Sequence, residues 1–167
     1  MMARAMNVLT ITLLAAALAA LQPPAPVEAQ VKEVRQTIFG MDCAPCAYAV
    51  ERRMENMEGA ADVQLSLNEG FAAVRFEGAH RTTLEQIRKT VRDSGFGPRE
   101  ARILVAGEVV LEEEVRVLRT PSGERFLLVA DAPGLLPEAG PGAEVQGVVE
   151  TEADETGRWV LKVVGEG

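Results

Sequence analysis

The sequence predicts an α+β protein in two parts: a strand–helix–strand–strand–helix–strand unit, then a small all-β unit. Three observations carry this. Two stretches repeat apolar residues at helical spacing, and alternating strand-like runs flank them. Beyond about Arg102 helical spacing disappears and five short β-rich runs follow one another. The 167 residues, 47% hydrophobic and 25% charged, form an ordinary globular composition, enough for one medium domain or two small ones.

The chain opens MMARAMNVLTITLLAAALAALQPPAPVEAQ. Arg4 gives a short positive start, Val8 to Leu21 an apolar run, and Val27-Glu28-Ala29 a small-residue cleavage context. A secretory signal peptide over residues 1–29, cut before Gln30, is therefore expected, with a periplasmic mature protein. The alternative is a retained anchor facing the periplasm, since Ala5 to Leu21 is nearly long enough to span a bilayer. Pro23, Pro24 and Pro26 follow the run as a processing region does.

Val31 to Phe39 reads as a strand entering the Gly40 turn. A helix is expected from about Pro45 to Glu58, with Ala47, Val50, Met54 and Met57 on one face and Gly59 ending it. Pro45 suits a first turn, where a missing N–H costs nothing. Val63, Leu65 and Leu67 alternate as a half-buried strand, Asn68-Glu69-Gly70 turns the chain, and Phe71 to Phe76 returns. Thr82 or Thr83 can cap a second helix whose Leu84, Ile87 and Val91 face inward and which Gly95 stops. A short last strand is expected after Pro98. This order, over residues 30–100, is the split βαβ or ferredoxin-like arrangement.

The β-rich runs are Ile103 to Leu111, Val115 to Arg119, Arg125 to Val129, Ala143 to Val149 and Arg158 to Val164. Residues 101–167 are therefore expected to form a separate small barrel or sandwich, somewhat like an OB-type barrel. Gly107 and Gly147 sit in matching V-x-G-x-V patterns, where barrel strands bend. This part has no cysteine, no histidine and no catalytic constellation: Ser122 lacks a base, Glu112-Glu113-Glu114 reads as a solvated charge run, and Trp159 as core. No enzyme is expected, and the part's default role is structural or docking.

The βαββαβ order brings the Cys43 loop, the Asn68 hairpin and Gly95-Phe96-Gly97 to one end. His80, the sole histidine, falls at the other end and is expected to be a solvated loop residue rather than a ligand. Phe39, Phe71 and Ala73 alternate with core-facing Ile38, Val74 and Phe76, so an apolar outer face is expected, covered by the barrel.

A net charge of −8 argues against nucleic-acid binding, which needs a basic face. Two cysteines, Cys43 and Cys46, cannot make a disulfide framework. Cys46 lies in the first helical turn, where unpaired N–H groups favour anions and raise the thiolate fraction. Two thiolates on a short exposed loop suit soft ions such as Cu(I), Hg(II), Zn(II) or Cd(II) and leave the coordination shell open to a second protein's thiols. A closed structural zinc site would need four ligands. Two alternatives stay open: a thiol–disulfide oxidoreductase attacking through Cys43, and a structural disulfide, although so small a loop removes little chain entropy.

Gly40-Met41, Cys43, Cys46, Val50-Glu51, Met54, Gly59-Ala60, Val63, Val74, Ile87 and Gly95-Phe96 stand at the spacings of a known family. Over Val34 to Arg99 the chain resembles the heavy-metal-associated domain of copper chaperones, heavy-metal P-type ATPases and periplasmic mercury-binding proteins. The resemblance implies that Cys43 and Cys46 are the metal ligands, that Met41 anchors the loop from beneath, and that Phe96 packs near the site. It implies a monomeric carrier or scavenger of one soft metal ion, passing it to a metal-transporting membrane protein or another thiol acceptor. Three residues depart from the family pattern. Gln36 stands at a usually apolar strand position, and Pro45 makes the motif C-A-P-C, nearer to redox motifs. Asp42 is similar to the aspartate of zinc, cadmium and lead exporters, which makes it a candidate third ligand.

Overall fold

The first sheet's facing is decided by β1. In the computed structural model, which describes residues 30–150 and 152–165, Val34, Gln36 and Ile38 of β1 point inward and are buried. The elements are β1 (Val31–Phe39), α1 (Ala44–Glu55), β2 (Ala60–Ser66), β3 (Phe71–Phe76), α2 (Leu84–Asp93), β4 (Gly97–Glu112), β5 (Val115–Arg119), β6 (Arg125–Val129), a 3₁₀ turn (Pro133–Leu135), β7 (Gly140–Val149) and β8 (Arg158–Val163). The signal peptide and its cleavage point lie outside the described residues. Among the described residues no helix is long and apolar enough to cross a membrane.

Both helices lie on one face of β2-β3-β1-β4 and bury the stripes their spacing announces: Ala47, Val50 and Met54 on α1, Leu84, Ile87 and Val91 on α2. Helix α1 stops at Glu55 rather than Glu58, because Asn56 caps it and donates its side-chain amide to the Arg52 carbonyl at 2.6 Å. Thr83 and Gln86 form a reciprocal capping box at the start of α2. At its end Gly95 has φ +87°, and the amides of Gly95 and Phe96 donate to the carbonyls of Arg92 (2.9 Å) and Val91 (3.2 Å). This paired closure is a Schellman motif, and it aims the chain into β4.

His80 is not solvated. It is 8% exposed, its ring centroid 4.7 Å from that of Phe76. A Cβ on Gly59 would lie 2.6 Å from the His80 side chain, so the bare glycine is what admits the ring. The His80 amide donates to the side chain of Gln30.

The short last strand expected after Pro98 is instead a strand of 16 residues. Its first half pairs with β1, from Phe39↔Gly97 to Val31↔Val105. Its other edge pairs with β7, from Ala101↔Val149 to Val109↔Gly140, and its last residues pair with β5. The order β4-β5-β6-β8-β7, with β7 returning to β4, closes five strands into a ring whose β6–β8 pairing is parallel. The boundary expected at residue 100/101 thus falls inside one continuous strand, and one hydrophobic cluster runs from Val34 and Met54 to Phe126 and Leu161.

The barrel does not lie on the open face of the first sheet. Phe39 there is 64% exposed, with the Arg99 guanidinium 4.7 Å from its ring centroid, and Phe71 is shielded by Arg35. The ring curls instead toward the helices. The barrel's Glu124 accepts hydrogen bonds from the first amides of α2, Leu84 (2.9 Å) and Glu85 (3.4 Å), and Trp159 faces Arg88 of α2. The reason is continuity: a bent, shared strand carries its neighbours to the side toward which it bends.

The β4–β7 register breaks between Gly107 and Val109, which marks that bend, and a Cβ on Gly107 would stand 2.5 Å from the Arg119 carbonyl oxygen. Gly107→Ala is expected to destabilise the fold by about 1–3 kcal/mol, the usual cost of forcing extra atoms into a packed site, read as a lower urea midpoint. A second expectation concerns Glu124, whose carboxyl is pushed up to about 7 by burial, against the opposing amides of Leu84 and Glu85. From about pH 4.5 to 7 the folded state keeps a proton that the unfolded chain releases, so this group's stability contribution falls as pH rises. Glu124→Gln keeps an acceptor without the titration. Its stability relative to wild type should therefore rise from about pH 5 to 8, measured as paired denaturation midpoints.

Candidate functional site

The chain leaves β1 through Gly40, whose φ of +85° lets it turn sharply. Met41 then drops into the core at 6% exposure, pinning the loop from below. Asp42 points to solvent. Cys43 is the N-cap of α1, with extended backbone, and its sulfur accepts from the Cys46 amide at 3.2 Å. Cys46 lies in the first turn after Ala44 and Pro45, and both cysteines are half-buried. Their Cα atoms are 5.3 Å apart and their sulfurs are joined as a disulfide.

The first turn of α1 carries no acidic side chain, so nothing on the helix itself neutralises its positive end. On reduction two sulfurs face that end, where anionic thiolates are favoured. The surroundings are assembled by pairing. The Ile38 amide donates to the Gly70 carbonyl at 2.7 Å, which brings in the β2–β3 hairpin. Phe39 pairs with Gly97, which places Phe96, half-buried against the core, at the same end. Phe39 and Tyr48, 64% and 61% exposed, leave the rim of this end apolar and open. His80 is at the opposite end, beside Gly59 and Gln30.

The structure thus brings Cys43 and Cys46 together. Asp42 is exposed, one residue before Cys43, and among the described residues no group of three His, Cys, Asp or Glu side chains is gathered as a metal cluster.

Two buried polar residues behind the loop went unremarked as site residues. Gln36 is 0% exposed and Arg88 1%. Burial pushes the Arg88 guanidinium below its ordinary value, and Glu152 at 3.3 Å opposes this. Each left a trace in the sequence. Gln36 interrupts the inward row Val34, Gln36, Ile38, and Arg88 occupies the i+4 position from Leu84 in the apolar stripe of α2.

The heavy-metal-associated domain family matches residues 26–97, a span holding the loop, both helices and the first three strands. The mercuric transport protein periplasmic component of Salmonella typhi is 32% identical over 81 residues, 48% of this chain and 88% of that protein. A probable copper-exporting P-type ATPase of Archaeoglobus fulgidus is 31% identical over 72 residues, 43% of this chain and 9% of that protein. Among solved structures, oxidized MerP from Ralstonia metallidurans CH34 aligns at 25% identity over 41% of this chain and 93% of its own, with a TM-score of 0.37. A relative matched over nearly its whole length, together with the family match through the cysteine loop, makes the conclusion direct: the chain belongs to the heavy-metal-associated domain family.

Proposed function

We propose that this protein is an exported carrier that holds one soft heavy-metal ion between the reduced sulfurs of Cys43 and Cys46 and passes it to a thiol acceptor. One observation carries the reading: the two cysteines meet at the start of α1, one as N-cap and one in the first turn, on a half-exposed loop. Two thiolates satisfy Cu(I) or Hg(II) and leave room for an incoming third sulfur, as transfer requires. The disulfide is the resting oxidised form, and reduction precedes loading. The relatives' names support a soft ion, a periplasmic setting and a membrane transporter as acceptor. No catalytic role is proposed. The ring order β4-β5-β6-β8-β7 with its parallel β6–β8 pair supports reading residues 101–167 as an OB-type barrel.

Cys43→Ser or Cys46→Ser should abolish most Hg(II) or Cu(I) binding by the reduced protein, because a hydroxyl is a hard, weakly acidic ligand. Wild-type binding should release protons and weaken as pH falls. Native mass spectrometry and competition titration read both, and unchanged affinity in the double serine variant would reject the assignment.

Asp42 separates ions by coordination number. Zn(II) and Cd(II) take about four ligands and accept oxygen, whereas Cu(I) and Hg(II) are content with two sulfurs. Asp42→Asn should weaken Zn(II) or Cd(II) by roughly tenfold, the order of one lost charged contact, and leave Cu(I) and Hg(II) within a few-fold. Titration of both proteins with all four ions decides it, and equal losses for every ion would return Asp42 to solvent.

A further inference from the structure

Strands β1 and β4 do not pair evenly behind the cysteine loop. Gln36 is opposite Ala101 and Ile38 opposite Pro98, so β1 advances two residues while β4 advances three. The surplus residue makes a bulge at Arg99 and Glu100, facing Thr37. A bulge leaves carbonyls outside the regular ladder, and buried carbonyls need donors.

Two buried side chains supply them. Gln36 Nε2 donates to the carbonyls of Arg99 (3.0 Å), Glu100 (3.2 Å) and Thr37 (2.9 Å). Arg88 Nη2 donates to the same Arg99 carbonyl at 2.8 Å and to the Val149 carbonyl on β7 at 3.2 Å. Arg88 is itself held from the barrel side, by Glu152 at 3.3 Å and by the Trp159 ring, with its guanidinium carbon 5.1 Å from the centroid. The bulge sets the register of everything after it toward the site. Slipping a strand by one residue turns each of its side chains to the other face, so the bulge decides where Gly97 meets Phe39 and where Phe96 points.

We infer that Gln36 and Arg88 are positioning residues for the cysteine loop, and that the barrel acts on metal retention through Arg88, which fastens the β4 bulge to β7. This rests on the proposed metal site but adds to it a role for the β-barrel. Gln36 and Arg88 touch neither cysteine; they reach the loop through the register that sets Gly97 against Phe39, and groups that orient a ligand from behind act on its affinity.

The test uses the full mature chain, reduced, with Hg(II) as probe. Gln36→Met, Arg88→Met and Arg88→Lys are compared with wild type and with Arg158→Gln, a barrel control whose guanidinium pairs with Asp154. Release of Hg(II) to a small competing dithiol, followed by its thiolate charge-transfer absorbance, should be about tenfold faster in Gln36→Met and Arg88→Met. Arg88→Lys, with a charge but no fork, should fall between, and Arg158→Gln should match wild type. Amide NMR shifts of Phe96, Gly97 and Met41 should move in the two methionine variants. Release within twofold of wild type, with those amides unmoved, would overturn the inference. If Arg88→Met does not fold, Gln36→Met carries the test alone. If wild type binds no Hg(II), the metal reading fails while the amide shifts still decide the positioning claim.

Discussion

Backbone hydrogen bonding along β4 is the constraint on which the rest depends. A strand has two edges, and β4 must satisfy three neighbours: β1 and β5 in succession along one edge, β7 along the other. It meets the demand with a bulge at Arg99 and Glu100 and a bend at Gly107. Both devices have consequences. The bend turns the ring of five strands toward α2. The bulge frees carbonyls that draw Gln36 and Arg88 into the interior, an expensive place for an amide and a guanidinium unless every donor finds work.

The same logic of unsatisfied backbone groups shapes the cysteine loop. Helix α1 begins with amides that have no partner within the helix, and the Cys43 sulfur accepts one of them. Met41 holds the loop to the core, while Gly40 supplies the left-handed turn that lets Met41 go down and Asp42 go up. A site of two soft donors on a loop anchored at one point is open on its outer side. That suits an ion that has to leave as well as arrive.

Much of this was legible in the residues. The apolar stripes of both helices, the capping threonine and the three-loop end followed from periodicity and order alone. The runs around Val115, Arg125 and Arg158 begin as strands where their turn residues indicate. What stayed hidden depends on residues far apart in sequence. Nothing local in the stretch after Pro98 says that one strand will serve both the first sheet and the ring, because its pairings with β1 and β7 are with segments tens of residues away. His80 looked solvated because its cover, the absent side chain of Gly59, lies more than twenty residues upstream. Glu124 drew no notice, because its partners, the first amides of α2, lie about 40 residues upstream. In each case the missing information was a contact, not a propensity.

The shared strand also bears on how such a protein can change over generations. Modules that recombine freely meet at exposed linkers crossed by few contacts, and here the junction is the interior of β4, stitched by Arg88 to β7. A crossover placed there would hand each descendant half a strand and an arginine without its acceptors. The two halves are therefore bound to be inherited together, and substitutions at Gln36, Arg88, Glu124 and Trp159 should be tolerated only in company.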